Sequence, residues 1–288
     1  MTVGELHMIG NDIRRHVLRA VHHAGAGHIG GVFSAADMLS ALYFSTLRVD
    51  PQRPSWEDRD RFILSKGHCG IGLYAVLALR GYFPVSELST FDAIDSRLQG
   101  HPDMTKLPGL DMSTGSLGQG LSPGVGMALG ARYLAKGFHT WVMLGDGEIQ
   151  EGQIWEAAFT ASRYGLDNLT GILDWNHLQQ YGWATAAGYA SDARRDPVEA
   201  PAAKWRAFGW HVIECDGHRI EKFLAACEEA IAHRGRPSMI IAHTVKGKGV
   251  SFMEHDYAWH SKPVTNADLE LALAELNAAD RSQQGGAS

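Results

Sequence analysis

Gly145-Asp146-Gly147 and Asn176 are the residues whose types and spacing most directly suggest chemistry. A carboxylate and an amide oxygen, with 28 residues between the tripeptide and the asparagine, stand at the ends of two consecutive apolar runs, 140–144 and 169–173. Oxygen donors at neighbouring strand ends can share one hard cation. Magnesium prefers such ligands and usually keeps water or phosphate oxygens as well. The two glycines let the backbone turn sharply and let a phosphate come close. The tripeptide alone reads equally as a tight strand-to-helix turn. The asparagine at a second strand end is what makes the pair specific.

These residues need elements to hold them. Short apolar runs at 61–64, 140–144, 169–173, 210–215 and 238–243 read as strands. Over 5–23, Leu6, Ile9, Ile13, Val17 and Val21 fall three and four apart, which predicts an amphipathic helix. Ser34 stands as the N-cap of a helix over 35–45. Further helices are predicted over 71–80, 124–136, 154–164, around 198–207, over 219–233 and about 266–277. Strand–helix alternation of this kind predicts an α/β fold, a three-layer parallel sheet with helices on both faces. Ligands then sit outside the carboxyl ends of the strands, so 65–68, Asp146, Asn176 and 243–249 matter most. One domain is expected over 1–280, including the C-terminal helix, with 281–288 a polar, flexible tail.

Composition narrows the function class. The chain has 288 residues, 45% hydrophobic and 20% charged, with 33 glycines, as a globular protein with a full core has. With 26 Lys and Arg against 32 Asp and Glu, the net charge of −6 argues against a broad phosphate-backbone surface. No apolar run approaches the roughly 18–20 residues of a membrane span. The N-terminus has neither a basic segment nor an apolar one, and Cys69, Cys215 and Cys227 form no CxxC pair. They read as reduced thiols of a cytoplasmic protein. Two motifs mislead. Gly25-Ala26-Gly27-His28-Ile29-Gly30 matches a dinucleotide fingerprint, but a helix precedes it where a strand is needed. Gly120-Leu121-Ser122-Pro123-Gly124 matches a nucleophile elbow, but Pro123 has no N–H to donate to an oxyanion.

The run Gly145–Ala157, Leu64-Ser65-Lys66-Gly67-His68, Gly100-His101-Pro102-Asp103, Gly115-Ser116-Leu117-Gly118-Gln119-Gly120 and Lys246-Gly247-Lys248-Gly249 with Trp259-His260 are further motifs of the chain. Together they resemble the transketolase family of thiamine-diphosphate enzymes, in family order, over residues from about 10 to 262. The resemblance implies the thiamine-diphosphate-binding fold of the diphosphate-binding domain. It implies that Asp146, Asn176 and the backbone carbonyl of Leu178 hold Mg²⁺, which holds the cofactor diphosphate beside Gly145 and Gly147. His68 and His260 are implied near the diphosphate and the reacting centre, and His28 and His101 at donor-sugar hydroxyls. Imidazole suits proton movement near neutral pH; the bland alternative is a set of satisfied structural histidines. Gly115, Ser116 and Leu117 are implied to present backbone groups to the aminopyrimidine, with Ser116 where the family usually has proline. Glu151 is implied at a subunit contact, or is an exposed glutamate at a helix start. Lys246 and Lys248 either bring positive charge to a phosphate or belong to a solvated loop.

The family's Gln-Ile-Asp-Gly is replaced here by Gln179-Gln180-Tyr181-Gly182, a departure that bears on the packing expected beside the metal and on the preferred substrate more than on metal binding itself. No second α/β block follows before Ser288 to carry the glutamate that activates the cofactor. The resemblance therefore implies the N-terminal subunit of a split transketolase. Such an enzyme transfers a two-carbon ketol unit from a ketose to an aldose. It would pair with a separate C-terminal, pyrimidine-binding chain as a heterotetramer of two plus two chains. The alternatives are an α-type subunit of a 2-oxo acid dehydrogenase or of a deoxyxylulose-phosphate-synthase-like enzyme, and a non-catalytic cofactor-holding subunit.

Overall fold

A computed structural model describes residues 1–180 and 199–285, with side chains to residue 281. Five strands, β1 (Arg61–Leu64), β2 (Thr140–Gly145), β3 (Leu169–Trp175), β4 (His211–Asp216) and β5 (Ser238–His243), form one sheet in the order β1-β2-β3-β5-β4. Every neighbouring pair is parallel. The central strands are buried on both faces, which is why they read as continuous apolar runs rather than alternating ones.

Alternate side chains of each strand feed two cores. Trp141 and Met143 of β2 point into a core shared with α1 (Val3–Ala24), α2 (Gly30–Ala41), α3 (Gly70–Arg80), α7 (Ile220–Ala232) and α8 (Asn266–Gly285). Val142 and Leu144 point into a second core with α4 (Leu121–Tyr133), α5 (Gly152–Arg163) and α6 (Pro201–Ala207). The three-layer α/β architecture follows from this two-residue period. α1 buries its apolar spacing, starts on a Thr2–Glu5 capping box and ends at Gly25 in the left-handed conformation.

Three boundaries differ from the sequence pattern for physical reasons. α2 begins at Gly30, so Ser34 lies inside the helix and is not its N-cap. Its hydroxyl donates to Asp174, 2.6 Å away, and every residue of α2 is buried, so tertiary packing rather than a cap sets the start. α4 begins at Leu121 and carries Pro123 in its first turn, where a missing N–H costs nothing. α8 continues past 277 and takes in residues 281–285, placed by pattern in the tail. Leu276 is buried, Asn11 donates to Asp280 at 2.6 Å, and Arg15 donates to Asp280 and to the Leu276 carbonyl. These contacts tie the helix to α1. Tyr181, Gly182 and the beginning of the helix expected around 198 lie outside the described residues. Among the described residues no helix is long and apolar enough to cross a membrane.

Asp280→Ala leaves Arg15 and Asn11 without this partner. The expected outcome is a loss of about 1.5–3 kcal/mol in stability, the range for hydrogen bonds to charged groups. Hydrogen-exchange protection should fall selectively in α8; unchanged protection there would show that the helix is held without Asp280, by Ala272 and Leu276 packing and the Arg15–Asn277 and Ser251–Glu275 contacts.

Candidate active site

The segments that leave β1, β2, β3 and β5 at their carboxyl ends meet at one cavity of about 340 Å³. Lys66 follows β1, Asp146 follows β2, Asn176 and Leu178 follow β3, and Lys246 follows β5. Two buried carboxylates join these segments. Asp174, fully buried near the end of β3, accepts from Lys66 Nζ, from the Ser34 hydroxyl at 2.6 Å, from the Thr244 hydroxyl and from Asn176 Nδ2 at 3.3 Å. Burial alone would raise its carboxyl, but the Lys66 ammonium together with the Ser34 and Thr244 hydroxyls outweighs that and holds it below the ordinary range. Lys66 also donates to the Gly31 carbonyl at 2.8 Å, fixing the start of α2. Glu148 accepts from the Ser65 hydroxyl, from Gly118 N at 2.9 Å and from Gly145 N at 3.0 Å. It thereby locks the 65–68, 115–120 and 145–147 segments together. Close backbone approach is needed here: a Cβ on Gly67 would lie 2.6 Å from Gly115 N.

Asp146 is placed for a cation. It is buried; Oδ1 accepts from Gly147 N at 2.8 Å, while Oδ2 is buried with no hydrogen-bond partner. Burial, and then the neighbouring Asp174, raise its carboxyl to about 6. An unpartnered oxygen on a carboxylate that lines a cavity is what a hard divalent ion satisfies. Asn176 Oδ1 accepts from Leu178 N at 3.0 Å, and Leu178 lines the same space, its carbonyl accepting from Lys246 Nζ at 2.7 Å. Among the described residues no group of three His, Cys, Asp or Glu is suited to a metal. A site here therefore draws on one carboxylate with amide and carbonyl oxygens, a donor set that fits Mg²⁺ rather than a nitrogen-preferring metal.

The structure brings the four singled-out histidines together. Ring centroids of His28, His68 and His260 lie 5.1–5.2 Å apart pairwise, and His101 is 6.5 Å from His28. Burial, then the Lys66 charge, pushes His68 well below the ordinary imidazole range, and burial, then His101, lowers His28. Burial, then Lys246, pushes His260 down to about 3. These three rings are neutral at pH 7, each offering one donor and one acceptor.

Gly115, Leu117, Gly145 and Gly147 line the cavity, while Ser116 is exposed and does not. Glu151 is exposed at the N-cap of α5, outside the cavity. Lys246 is buried rather than part of a solvated loop, whereas Lys248 lies at the surface beside Glu254. The Lys246 segment is fixed from below. Val245 N donates to His218 Nε2 at 2.8 Å, so His218 donates through Nδ1 to Asp37, 2.9 Å away. Asp37 in turn accepts two hydrogen bonds from buried Arg14. Sequence reasoning singled out neither Asp174 nor Glu148 and gave Lys66 no role. The available signal was a charged residue at the inner end of an apolar strand, which must find a partner.

Replacing Lys66 with Met leaves Asp174 as an uncompensated buried charge, with an expected loss of about 3–5 kcal/mol in stability. Lys66→Met with Asp174→Leu removes both charges and should recover part of that loss in a double-mutant cycle measured by denaturant unfolding. Strict additivity of the two changes would rule out the coupling.

Comparison with known proteins follows the same lines. The family model for the transketolase thiamine diphosphate binding domain matches residues 6–281. The 6-deoxy-6-sulfo-D-fructose transketolase subunit of Clostridium sp. (strain MSTE9) is 44% identical over 92% of this chain and 94% of its own length. An apulose-4-phosphate transketolase subunit of Actinobacillus succinogenes is 42% identical over 96% of this chain and 97% of its own. The solved transketolase from Leishmania mexicana superposes with a TM-score of 0.84 at 28% identity, covering 99% of this chain but 45% of that one. The chain thus spans nearly the whole of the two shorter relatives and under half of the longer transketolase. It belongs to the transketolase family, as its thiamine diphosphate binding domain.

Proposed function

We propose that this chain is the N-terminal subunit of a two-chain transketolase, transferring a two-carbon ketol unit from a ketose to an aldose. The observation that carries the reading is the buried, partnerless Oδ2 of Asp146, a residue that lines a cavity together with neutral histidines. Asp146, Asn176 and the Leu178 carbonyl hold Mg²⁺, and with it the diphosphate of thiamine diphosphate. When bound, thiamine diphosphate supplies the carbon nucleophile that takes up and releases the ketol unit.

The chain's own residues bind and orient. Gly145 and Gly147 leave room for the diphosphate, and Gly115, Ser116 and Leu117 present backbone groups to the aminopyrimidine. His28 and His101 hold donor-sugar hydroxyls, while His68 and His260 hold or move protons beside the reacting centre. Neutral rings can accept a hydroxyl proton at one nitrogen while donating at the other. Glu151, exposed at the start of α5, meets the partner chain. That partner is a separate C-terminal chain carrying the pyrimidine-binding domain, and the working assembly is a heterotetramer of two plus two chains in the cytoplasm. Support for a separate partner comes from the relatives named as subunits, which match this chain nearly end to end. All three carry an anionic sugar in their names, one a sulfo-sugar and two a sugar phosphate. An anionic ketose is therefore the first donor class to test. The reading as an α-type 2-oxo acid dehydrogenase or deoxyxylulose-phosphate-synthase-like chain is not favoured, since relatives that match nearly the whole chain are named as transketolases or their subunits.

The test mixes this chain with its partner, thiamine diphosphate and Mg²⁺, and measures ketol transfer from ketose phosphates to aldoses. The isolated chain should be inactive and the mixture active. Asp146→Ala should lower reconstituted activity by at least about a hundredfold, since outer-shell changes alone cost about 10–100-fold at metal sites. His68→Ala should cost about 10²–10⁴-fold in reconstituted activity, the range for a side chain that moves a proton in the transition state. Full activity of Asp146→Ala would contradict the metal assignment.

A further inference from the structure

We infer that Lys246 is a built-in placeholder for the divalent cation: its ammonium holds the metal loop's carbonyls while no metal is bound and yields them when metal and diphosphate arrive together. The inference rests on the assignment of Asp146, Asn176 and the Leu178 carbonyl as the cation's ligands.

The juxtaposition is specific. Lys246 is 3% exposed, and its Nζ lies 2.7 Å from the Leu178 carbonyl, 2.7 Å from the Gln179 carbonyl and 2.9 Å from His260 Nδ1. A lysine ammonium has three donors and no acceptor, so all three donors are used and the His260 nitrogen they meet is an acceptor. The Leu178 carbonyl is thus claimed by two cations. A divalent ion on that oxygen would stand within a few ångströms of the ammonium, where like charges repel strongly in a poorly solvated site.

The loop needs something to hold it. His177, between Asn176 and Leu178, has φ 63°, in the left-handed region that a residue with a side chain seldom adopts. The Asn176 Oδ1 bond to Leu178 N closes this turn on one side, and Lys246 closes it on the other. Lys246 thereby keeps the carbonyls aimed inward in the cation-free protein.

Charge balance points the same way. Asp146 and Glu148 line the cavity, and Asp174 lies behind it on Lys66; of these three buried carboxylates, two are matched in charge by the buried ammonium groups of Lys66 and Lys246. A metal arriving alone brings two further positive charges to a site with one unmatched carboxylate. A metal arriving with a diphosphate brings its own compensation, and the anion gives the displaced ammonium new acceptors. Metal and diphosphate should therefore bind as a coupled pair, with metal alone held weakly.

The test measures Mn²⁺ binding to the full chain without any diphosphate, from the loss of the free-ion electron paramagnetic resonance signal. Lys246→Met and Lys246→Gln remove the ammonium, and their fold is checked by circular dichroism. Both should bind Mn²⁺ about tenfold more tightly than the wild type. Equal or weaker affinity in a folded variant overturns the placeholder role. Should both variants unfold, amine labelling of the wild type decides the question. Saturating Mn²⁺ should then raise the labelling rate of Lys246 at least threefold, and an unchanged rate overturns the inference. Asp146→Asn separates the two levels of the reading: it should abolish Mn²⁺ binding in every background. Mn²⁺ binding that survives this change, or its absence from the wild type even with thiamine diphosphate, overturns the metal assignment and the placeholder with it.

Discussion

A lysine and an aspartate, both out of reach of water, hold this molecule's working end together. Lys66 and Asp174 come from segments at the ends of two different strands, and each alone would be a buried charge of high cost. Together they are tolerable only with further hydrogen bonds, and the structure supplies them. Ser34 reaches in from α2, Thr244 from the end of β5, and the Gly31 carbonyl from the first turn of α2. The requirement to satisfy one carboxylate thus brings four parts of the chain to the carboxyl edge of the sheet. Glu148 does the same for the 65–68, 115–120 and 145–147 segments. The cavity is the space these two nodes leave between them.

Polar groups in this setting are used differently from those on the surface. His28, His68 and His260 are held neutral by burial and by the lysines beside them. Neutral imidazoles packed at about 5 Å avoid mutual repulsion, and each offers one donor and one acceptor, although His260 Nδ1 already accepts from Lys246. Asp146 differs from Asp174 in one respect that matters. Asp174 has a full set of donors, whereas one oxygen of Asp146 has none. Two carboxylates at neighbouring strand ends thereby take separate roles, one structural and one open to a ligand.

Much of this was legible in the residues. The strand at 238–243 coincides with its apolar run, and the central strands were visible because buried parallel strands read as unbroken apolar segments. Asp146 and Asn176 were visible because each follows directly on such a run, where ligands of a parallel sheet sit. The start of α2 was not legible, because a helix buried on every side has no polar face to mark its phase or its cap. Asp174 and Glu148 lay beside the motif residues but stood out less, because their partners are remote. Lys66 and Asp174 are 108 positions apart, and no periodicity or local spacing reports such a pair. The end of α8 was hidden for the same reason, since Asp280 is held by Asn11 and Arg15 at the opposite end of the chain.

The central claim is that the ends of β2 and β3 form one cation-and-diphosphate site. The most direct measurement is a crystal structure of this chain with its partner, grown with Mg²⁺ and thiamine diphosphate. The expected result is a metal about 2.0–2.1 Å from Asp146 Oδ2, Asn176 Oδ1 and the Leu178 carbonyl, touching the diphosphate. A diphosphate bound with no metal at these oxygens, or a metal held elsewhere in the cavity, would contradict it.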